Sequence, residues 1–160
     1  MIEIRRISYG DPRAVVIREA MDVDMYALYE GVEVGRSDET MAAVERALVV
    51  HTEAMVATVG AFDGDELVGH AALRPADGLD ALEVKRVVVL PEYRGQGLSK
   101  RLMAELEVIA HERGVGELVL QTGDRQIEAI ALYVKIGYHP IPRFGLYEPV
   151  PFFLCYGKTL

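Results

Sequence analysis

The chain carries a single cysteine, Cys155, so neither an internal disulfide nor a cysteine-based metal site can form within it. Its four histidines, His51, His70, His111 and His139, show no ligand spacing, and no metal is expected. No apolar run approaches the ~18 residues that a membrane span requires. The opening residues, Ile2-Glu-Ile-Arg-Arg-Ile, alternate apolar and charged side chains, which reads as a strand and not a signal peptide. Linkers rich in Pro, Ser or Gly are missing, as are repeats and low-complexity tracts, so 160 residues are read as one domain over 1–160. Basic charge is also short: 17 Lys and Arg against 25 Asp and Glu leave a net −8. A polyanionic partner needs a basic face, which argues against nucleic acid. The expectation is a cytoplasmic, metal-free globular protein with no membrane partner. An acidic surface suits a cationic amine substrate, and it suits plain solubility equally well.

The most informative stretch present is Val87-Val-Val-Leu-Pro-Glu-Tyr-Arg-Gly-Gln-Gly-Leu-Ser99. An apolar strand stops at Pro91, a turn with Gly95 and Gly97 follows, and a helix begins with Leu98, Leu102, Leu106 and Ile109 on one face. A glycine turn feeding a helix N-terminus leaves backbone N–H groups free at the positive end of the helix dipole, which is an anion site. Without a Cβ, Gly95 and Gly97 let a phosphate approach the backbone. A Walker A loop needs Gly-x4-Gly-Lys-[Ser/Thr]. Gly95 and Gly97 stand too close together for it, and Lys100 follows no glycine. A Rossmann fingerprint needs a third glycine where Lys100 stands.

A third pattern, Arg-x-x-Gly-x-[Gly/Ala], is met by Arg94 and Gly97, with the small residue Ser99 in the last place. It resembles the acyl-CoA pyrophosphate loop of the GCN5-related N-acetyltransferase (GNAT) superfamily. A second segment agrees. Gln126-Ile-Glu-Ala-Ile-Ala-Leu-Tyr-Val-Lys-Ile-Gly-Tyr138 resembles the superfamily's short helix with Ala-x-x-Leu-Tyr and Lys-x-Gly-[Phe/Tyr], although Gln126 replaces the usual Asn. The helical spacing of Ile127, Ile130, Ala131 and Val134 predicts a core face, and Gly137 a C-cap. Glu83-Val-Lys-Arg86 and the closing segments from Tyr138 to Tyr147 and from Pro151 to Lys158 resemble small stand-alone bacterial members. Residues 55–160 carry the likeness well, and the first 50 fit only in their order of elements.

Local patterns place a strand over Glu3–Tyr9, a helix from an Asp11 cap with Pro12 to about Tyr29, and a second helix capped by Ser37 or Asp38. That second helix is expected to turn Met41, Val44, Ala47 and Leu48 inward. Strands follow over Met55–Phe62 and Glu66–Arg74, joined by a turn at Asp63-Gly64-Asp65, and over Leu82–Leu90. Then come a helix from Gln96 to about Arg113, a strand over Glu117–Gln121, a helix over Gln126–Ile136, and strands near Tyr138–Ile141 and Phe152–Thr159. The resemblance implies the α/β (α+β) GNAT fold, in the order βααβββαβαββ. Its mixed, mostly antiparallel seven-stranded sheet is flanked by four helices and splayed between strands four and five, where the pantetheine arm inserts.

The resemblance further implies an acyl-CoA-dependent N-acyltransferase that uses acetyl-CoA as co-substrate. A small-molecule or peptide primary amine would attack the thioester directly, through a tetrahedral intermediate. The implied acyl-CoA contacts are Val87, Val88, Val89, Arg94, Gly95, Gln96, Gly97, Leu98, Ser99, Gln126 and Ala129. Tyr133 matches the tyrosine that protonates the leaving thiolate, and a backbone N–H on strand four, taken as that of Val89, matches the oxyanion donor. An aliphatic amine with a pKa near ~10.4 is mostly protonated at pH 7, and supplying its free base costs roughly 4 kcal/mol. That calls for a general base. Glu83 is the candidate, because period-two alternation sets Glu83, Lys85, Val87 and Val89 on one face of a half-buried strand. A structural ion pair of Glu83 with Lys85 or a cross-strand cation is the competing role. The substrate pocket is expected between the link at 31–40, with Glu30, Glu33, Asp38 and Glu39, and the loop at 140–151, with Arg143, Phe144, Tyr147 and Glu148. Phe144 and Tyr147 are the residues expected to pack on the acceptor. His70 and His139 read as structural residues rather than bases. A non-catalytic acyl-CoA-binding module of the same fold is the alternative function, and a homodimer is compatible with the resemblance.

Overall fold

The computed structural model describes residues 1–32 and 35–160. Local chemistry starts its helices where the sequence signals them. For α1 (Pro12–Leu28), the Asp11 carboxylate accepts from the Arg13 N–H at 2.9 Å, and proline holds the first helical position. For α2 (Asp38–Leu48), the Ser37 hydroxyl accepts from the Thr40 N–H at 3.1 Å. The strands are β1 (Ile2–Ile7), β2 (Ala57–Asp63), β3 (Glu66–Pro75), β4 (Leu82–Val89), β5 (Glu117–Gly123), β6 (His139–Ile141) and β7 (Phe153–Thr159). The remaining helices are α3 (Leu98–Glu112) and α4 (Ile127–Lys135), which gives four helices among the described residues.

The seven strands form one sheet in the order β1-β2-β3-β4-β5-β7-β6. All neighbours run antiparallel except β4 and β5. That parallel pair is joined only at Leu82 with Leu118 and at Glu83 with Val119, and then the strands part. The fold is therefore the mixed, splayed α/β sheet that the resemblance implies. One face carries α3 and α4, whose Leu98, Leu102, Met103, Leu106, Ile109 and Tyr133 pack on Val59, Ala71, Leu73, Val84, Val89, Leu118 and Leu120. The other carries α1, through Ala14 and Ile17 on Phe62, Leu67 and Val88. It also carries α2, through Ala43 and Ala47 beside Val119, Phe144, Tyr147 and Phe153. Each large side chain fully buried this way contributes about 1.5–3 kcal/mol.

Three packing expectations are corrected. Within α4, Ile127 and Val134 are exposed and Tyr133 is buried, with Ala129, Ile130, Leu132 and Ile136 partly buried beside it. Glu128 and Lys135, two turns apart, share one face with the exposed Ile127, Ala131 and Val134, so the two charges rather than the apolar spacing mark the outward side of this helix. On α2, Leu48 points outward, while Ala43 and Ala47 are buried. The third correction concerns β4. Arg86 has φ of +60°, the one positive value among the described non-glycine residues, and the β3–β4 register shifts there. Lys85 pairs with Ala72 and Val88 with His70, so two residues of β4 oppose one of β3 in a β-bulge. Alternation inverts across it. Glu83 and Lys85 thus share a face with Val88, and Val87 and Val89 lie on the α3 face.

Candidate functional site

The turn before α3 has the geometry of an anion cradle. Gly95 and Gly97 adopt φ of +78° and +76°, where side chains with a Cβ are strained, and the space a Cβ would enter at each is open. Gly97 is the N-cap, and the first intrahelical bond runs from the Arg101 N–H to the Gly97 carbonyl at 3.1 Å. Among the described residues, the N–H groups from Gly95 to Lys100 have no partner in the chain. The Arg94 Nε donates to the Val89 carbonyl at 2.9 Å and ties this turn back to β4. The side chain of Leu98 is buried in the core, so its share in the cradle is its backbone. Gln126 is the N-cap position of α4, without a capping bond from its side chain, and Ala129 lies in that helix's first turn.

The cradle opens onto the gap between β4 and β5. The Leu90 N–H donates to the Val68 carbonyl at 2.9 Å, so Val89, one residue earlier, turns its N–H away from β3 and into the gap. Across the gap, the Thr122 hydroxyl is buried and unpartnered, on the face of β5 that carries Leu118 and Leu120. A buried hydroxyl without a partner costs about 1–3 kcal/mol. Helix α1 bridges the gap. Its Asp22 accepts from Arg86 on β4, and at its end Tyr29 accepts from the Arg125 N–H at 3.3 Å, just past β5.

The bulge is held from the α1 face. His70 is fully buried, and its Nδ1 lies 2.8 Å from the Arg86 carbonyl and its Nε2 3.0 Å from the Arg18 guanidinium. Burial, with Arg18 and Arg86 nearby, pushes the imidazole down to about 4. Arg18 also donates to the Tyr9 carbonyl at 2.7 Å and stacks over the Tyr9 ring.

Glu83 is 1% exposed. Its Oε1 accepts from the Arg74 Nε at 2.8 Å and its Oε2 from the Tyr147 hydroxyl at 2.6 Å, with the Lys85 ammonium 4.0 Å away. The Tyr147 oxygen in turn accepts from Arg74 at 3.0 Å and Lys85 at 3.2 Å. The cross-strand cation beside Glu83 is therefore Arg74. Burial, opposed by Glu83, brings Lys85 down to about 8, while burial and Glu83 together push the Tyr147 phenol upward. A cavity of about 220 Å³ adjoins this cluster, lined by Arg46, Arg74, Asp77, Glu83, Phe144 and Tyr147 among others. Its charges balance rather than being acidic. Of the acidic residues expected on the link, Asp38 and Glu39 occupy the first turn of α2, and Glu33 lies outside the described residues. Arg143 bonds the carbonyls of Glu148 and Pro151 and so closes the loop that supplies Phe144 and Tyr147.

Tyr133 is buried on the other face of the sheet, in the core beneath α3 and α4. Gly137, at φ of +100°, ends α4 with paired bonds from Gly137 to the Val134 carbonyl and from Tyr138 to the Tyr133 carbonyl, at 3.2 and 2.9 Å. The Tyr133 and Tyr138 rings lie 5.9 Å apart. Burial alone pushes the Tyr133 phenol up to about 12, so it stays protonated at neutral pH. Sequence reasoning missed Arg74, Arg18 and the anchoring role of His70. For Arg74 and His70 the signal is a charged or polar side chain within an apolar strand, whereas Arg18 stands among Arg13, Glu19, Asp22 and Asp24 on α1 and carries none. His139 is exposed on β6. Among the described residues no cluster of metal-binding side chains occurs, and no helix is long and apolar enough to cross a membrane.

Residues 22–138 match the family profile described as Acetyltransferase (GNAT) family. The chain is 41% identical over 78 residues to an IAA acetyltransferase of Azospirillum brasilense, a match covering 49% of this chain and 51% of that protein. It thus spans about half the length of that relative. A Klebsiella pneumoniae crystal structure, described as a candidate acyl-CoA N-acyltransferase, superimposes with a TM-score of 0.78 at 27% identity, over 100% of this chain and 98% of the other. A GNAT family acetyltransferase of Elizabethkingia anophelis with acetyl-CoA bound shares the fold, with a TM-score of 0.67 at 17% identity, over 99% and 98% of the two chains.

Proposed function

This chain belongs to the acetyltransferase (GNAT) family, and on that premise we propose that it moves an acetyl group from acetyl-CoA to a primary amine. The observation that carries the reading is the continuity of three features. The unpartnered N–H groups at the start of α3 open onto the gap between β4 and β5, and the cavity walled by Glu83, Phe144 and Tyr147 adjoins the β4 residue where that gap begins. The residues fit an acyl-CoA. Gly95 to Lys100 would hold its pyrophosphate.

The two faces of the sheet divide the work. The cavity opens on the α1–α2 face, and Tyr133 stands on the α3–α4 face. An amine entering from the first face forms the new C–N bond to give a tetrahedral intermediate, which collapses as the C–S bond breaks toward the second face. The Val89 N–H supports the developing oxyanion, and the Tyr133 hydroxyl supplies the proton that the thiolate takes. Glu83 lies six residues before Val89 on β4, roughly 20 Å along the strand. Its base role therefore runs through a chain of waters along the gap, with Tyr147 and Lys85 in its hydrogen-bond network. That both Glu83 oxygens are already bonded favours the second reading, an acyl-CoA-binding module without turnover.

Thiol release from acetyl-CoA, followed with a panel of polyamines, amino acids, aminoglycosides and peptide N-termini, tests the proposal. Turnover with one class supports it. Tight acetyl-CoA binding with no turnover across the panel supports the module instead.

A further inference from the structure

His70 carries two hydrogen bonds in the core, next to the strand segment on which the proposed chemistry depends. We propose that His70, oriented by Arg18, is a positioning residue for acyl transfer: its Nδ1–H anchors the Arg86 carbonyl in the β4 bulge and so aims the N–H groups of the gap edge at the thioester oxygen. This rests on the acyl-CoA reading of the gap given above.

The tautomer follows from the partners. A guanidinium only donates, so the His70 Nε2, 3.0 Å from Arg18, must accept. The proton of the neutral ring then sits on Nδ1 and is donated to the Arg86 carbonyl at 2.8 Å. The groups around the ring are Arg18 from α1, Arg86 from β4, and the Tyr9 ring edge-on at 6.0 Å, with Asp22 behind Arg86. Two cations and full burial keep the imidazole neutral, which preserves the donor.

The bulge needs such an anchor. Arg86 is held at φ of +60°, a conformation that costs a residue with a Cβ. Its carbonyl is met by the ring of His70 from the α1 face, while the His70 backbone pairs with Val88. One residue thus fixes both the bulged carbonyl and the register just after it. Without the Nδ1–H, the part-buried carbonyl loses that donor, and the bulge can relax by a one-residue slip. Such a slip would turn the Val89 N–H from the gap toward β3. The cradle at Gly95 to Lys100 lies beyond the slip and keeps its own N–H groups.

The test compares wild type with His70→Leu, His70→Gln and His70→Asn. The Asn side-chain N–H can stand in for Nδ1–H, whereas that of Gln reaches the Nε2 position. Affinities for CoA and acetyl-CoA, and the carbonyl band of ¹³C-labelled acetyl-CoA on the protein, are measured well below each variant's melting temperature. In wild type the bound carbonyl band lies below its position in water. In the Leu and Gln variants it returns toward that position, and the preference for acetyl-CoA over CoA falls about threefold to tenfold while CoA affinity stays. The Asn variant retains the wild-type band. The inference is overturned if Gln or Leu keeps the wild-type band and preference, or if CoA and acetyl-CoA weaken equally with the band unmoved. If wild type itself binds neither ligand or leaves the band at its aqueous position, the acyl-CoA reading of the gap falls, and this inference with it.

Discussion

Replacing Glu83 with Gln separates charge from shape at the most enclosed carboxylate of the molecule. Gln has nearly the volume of Glu and can still accept from Tyr147, but Arg74 and Lys85 then face each other without a counter-charge. Breaking a buried ion pair costs about 3–5 kcal/mol. The Arg74 side chain is 14% exposed, which places the loss near the lower end, about 3 kcal/mol. At about 2–4 °C per kcal/mol for a chain of this size, the melting temperature falls by about 6–12 °C. The rate carries separate information. A general base contributes about 10²–10⁴-fold. Without one, turnover follows the free-base fraction of the amine, which rises about tenfold per pH unit toward ~10.4. Continuous thiol detection from pH 7 to 10, below the variant's melting range, is expected to show a wild-type to variant ratio of at least about 10² at pH 7 that narrows with pH. A ratio constant across that range removes the base role from Glu83. A melting shift under about 2 °C refutes the buried-charge reasoning.

Tyr133→Phe is expected to lower single-turnover acetyl transfer by about 10²-fold or more with little change in melting temperature, because only burial acts on this hydroxyl; unchanged turnover ends the acid role. His70 binds its proton near 4 when folded and near 6.5 when unfolded, so the unfolded chain takes up the proton first as pH falls. Its contribution is full above pH 6.5 and about 3 kcal/mol is lost on descending through pH 4, a slope that denaturant titrations should find missing in His70→Asn. Gly97→Ala meets no clash but must hold φ of +76°, so about 1–2 kcal/mol of stability goes. Acetyl-CoA affinity drops as well, read by calorimetry; undiminished affinity would move the pyrophosphate elsewhere.

How far the sequence could be read depended on the range of the interaction. The turn at Gly95 and Gly97, the caps at Asp11 and Ser37 and the α3 face of Leu98, Leu102, Leu106 and Ile109 are local, and all were legible. So was the gap, through family resemblance. The β4 bulge was not: Arg86 is no usual bulge residue, and the inversion it causes belongs to backbone pairing with β3. The Arg74–Tyr147 bond joins residues 73 positions apart, which no local pattern announces. On α4 the charges Glu128 and Lys135 lie on the exposed face, and a phase taken from the apolar residues alone puts Ile127 and Val134 inside where packing buries Tyr133.

Helix α1 has a consequence beyond covering the sheet. Through Asp22 it grips β4 at the bulge, and through Tyr29 and the Leu28 carbonyl it grips Arg125 beyond β5. Past Glu83 those two strands share no ladder, so the helix works as a caliper whose jaws sit seven residues, roughly 10 Å, apart along its axis. The opening between the strands then becomes a dimension written in a helix outside the sheet. One residue added or removed between the jaws would rotate one jaw by about 100° against the other. Length in this stretch of α1 is therefore under tighter constraint than composition, and its outward positions, such as Val23 and Tyr26, are free to vary in a way that its residue count is not.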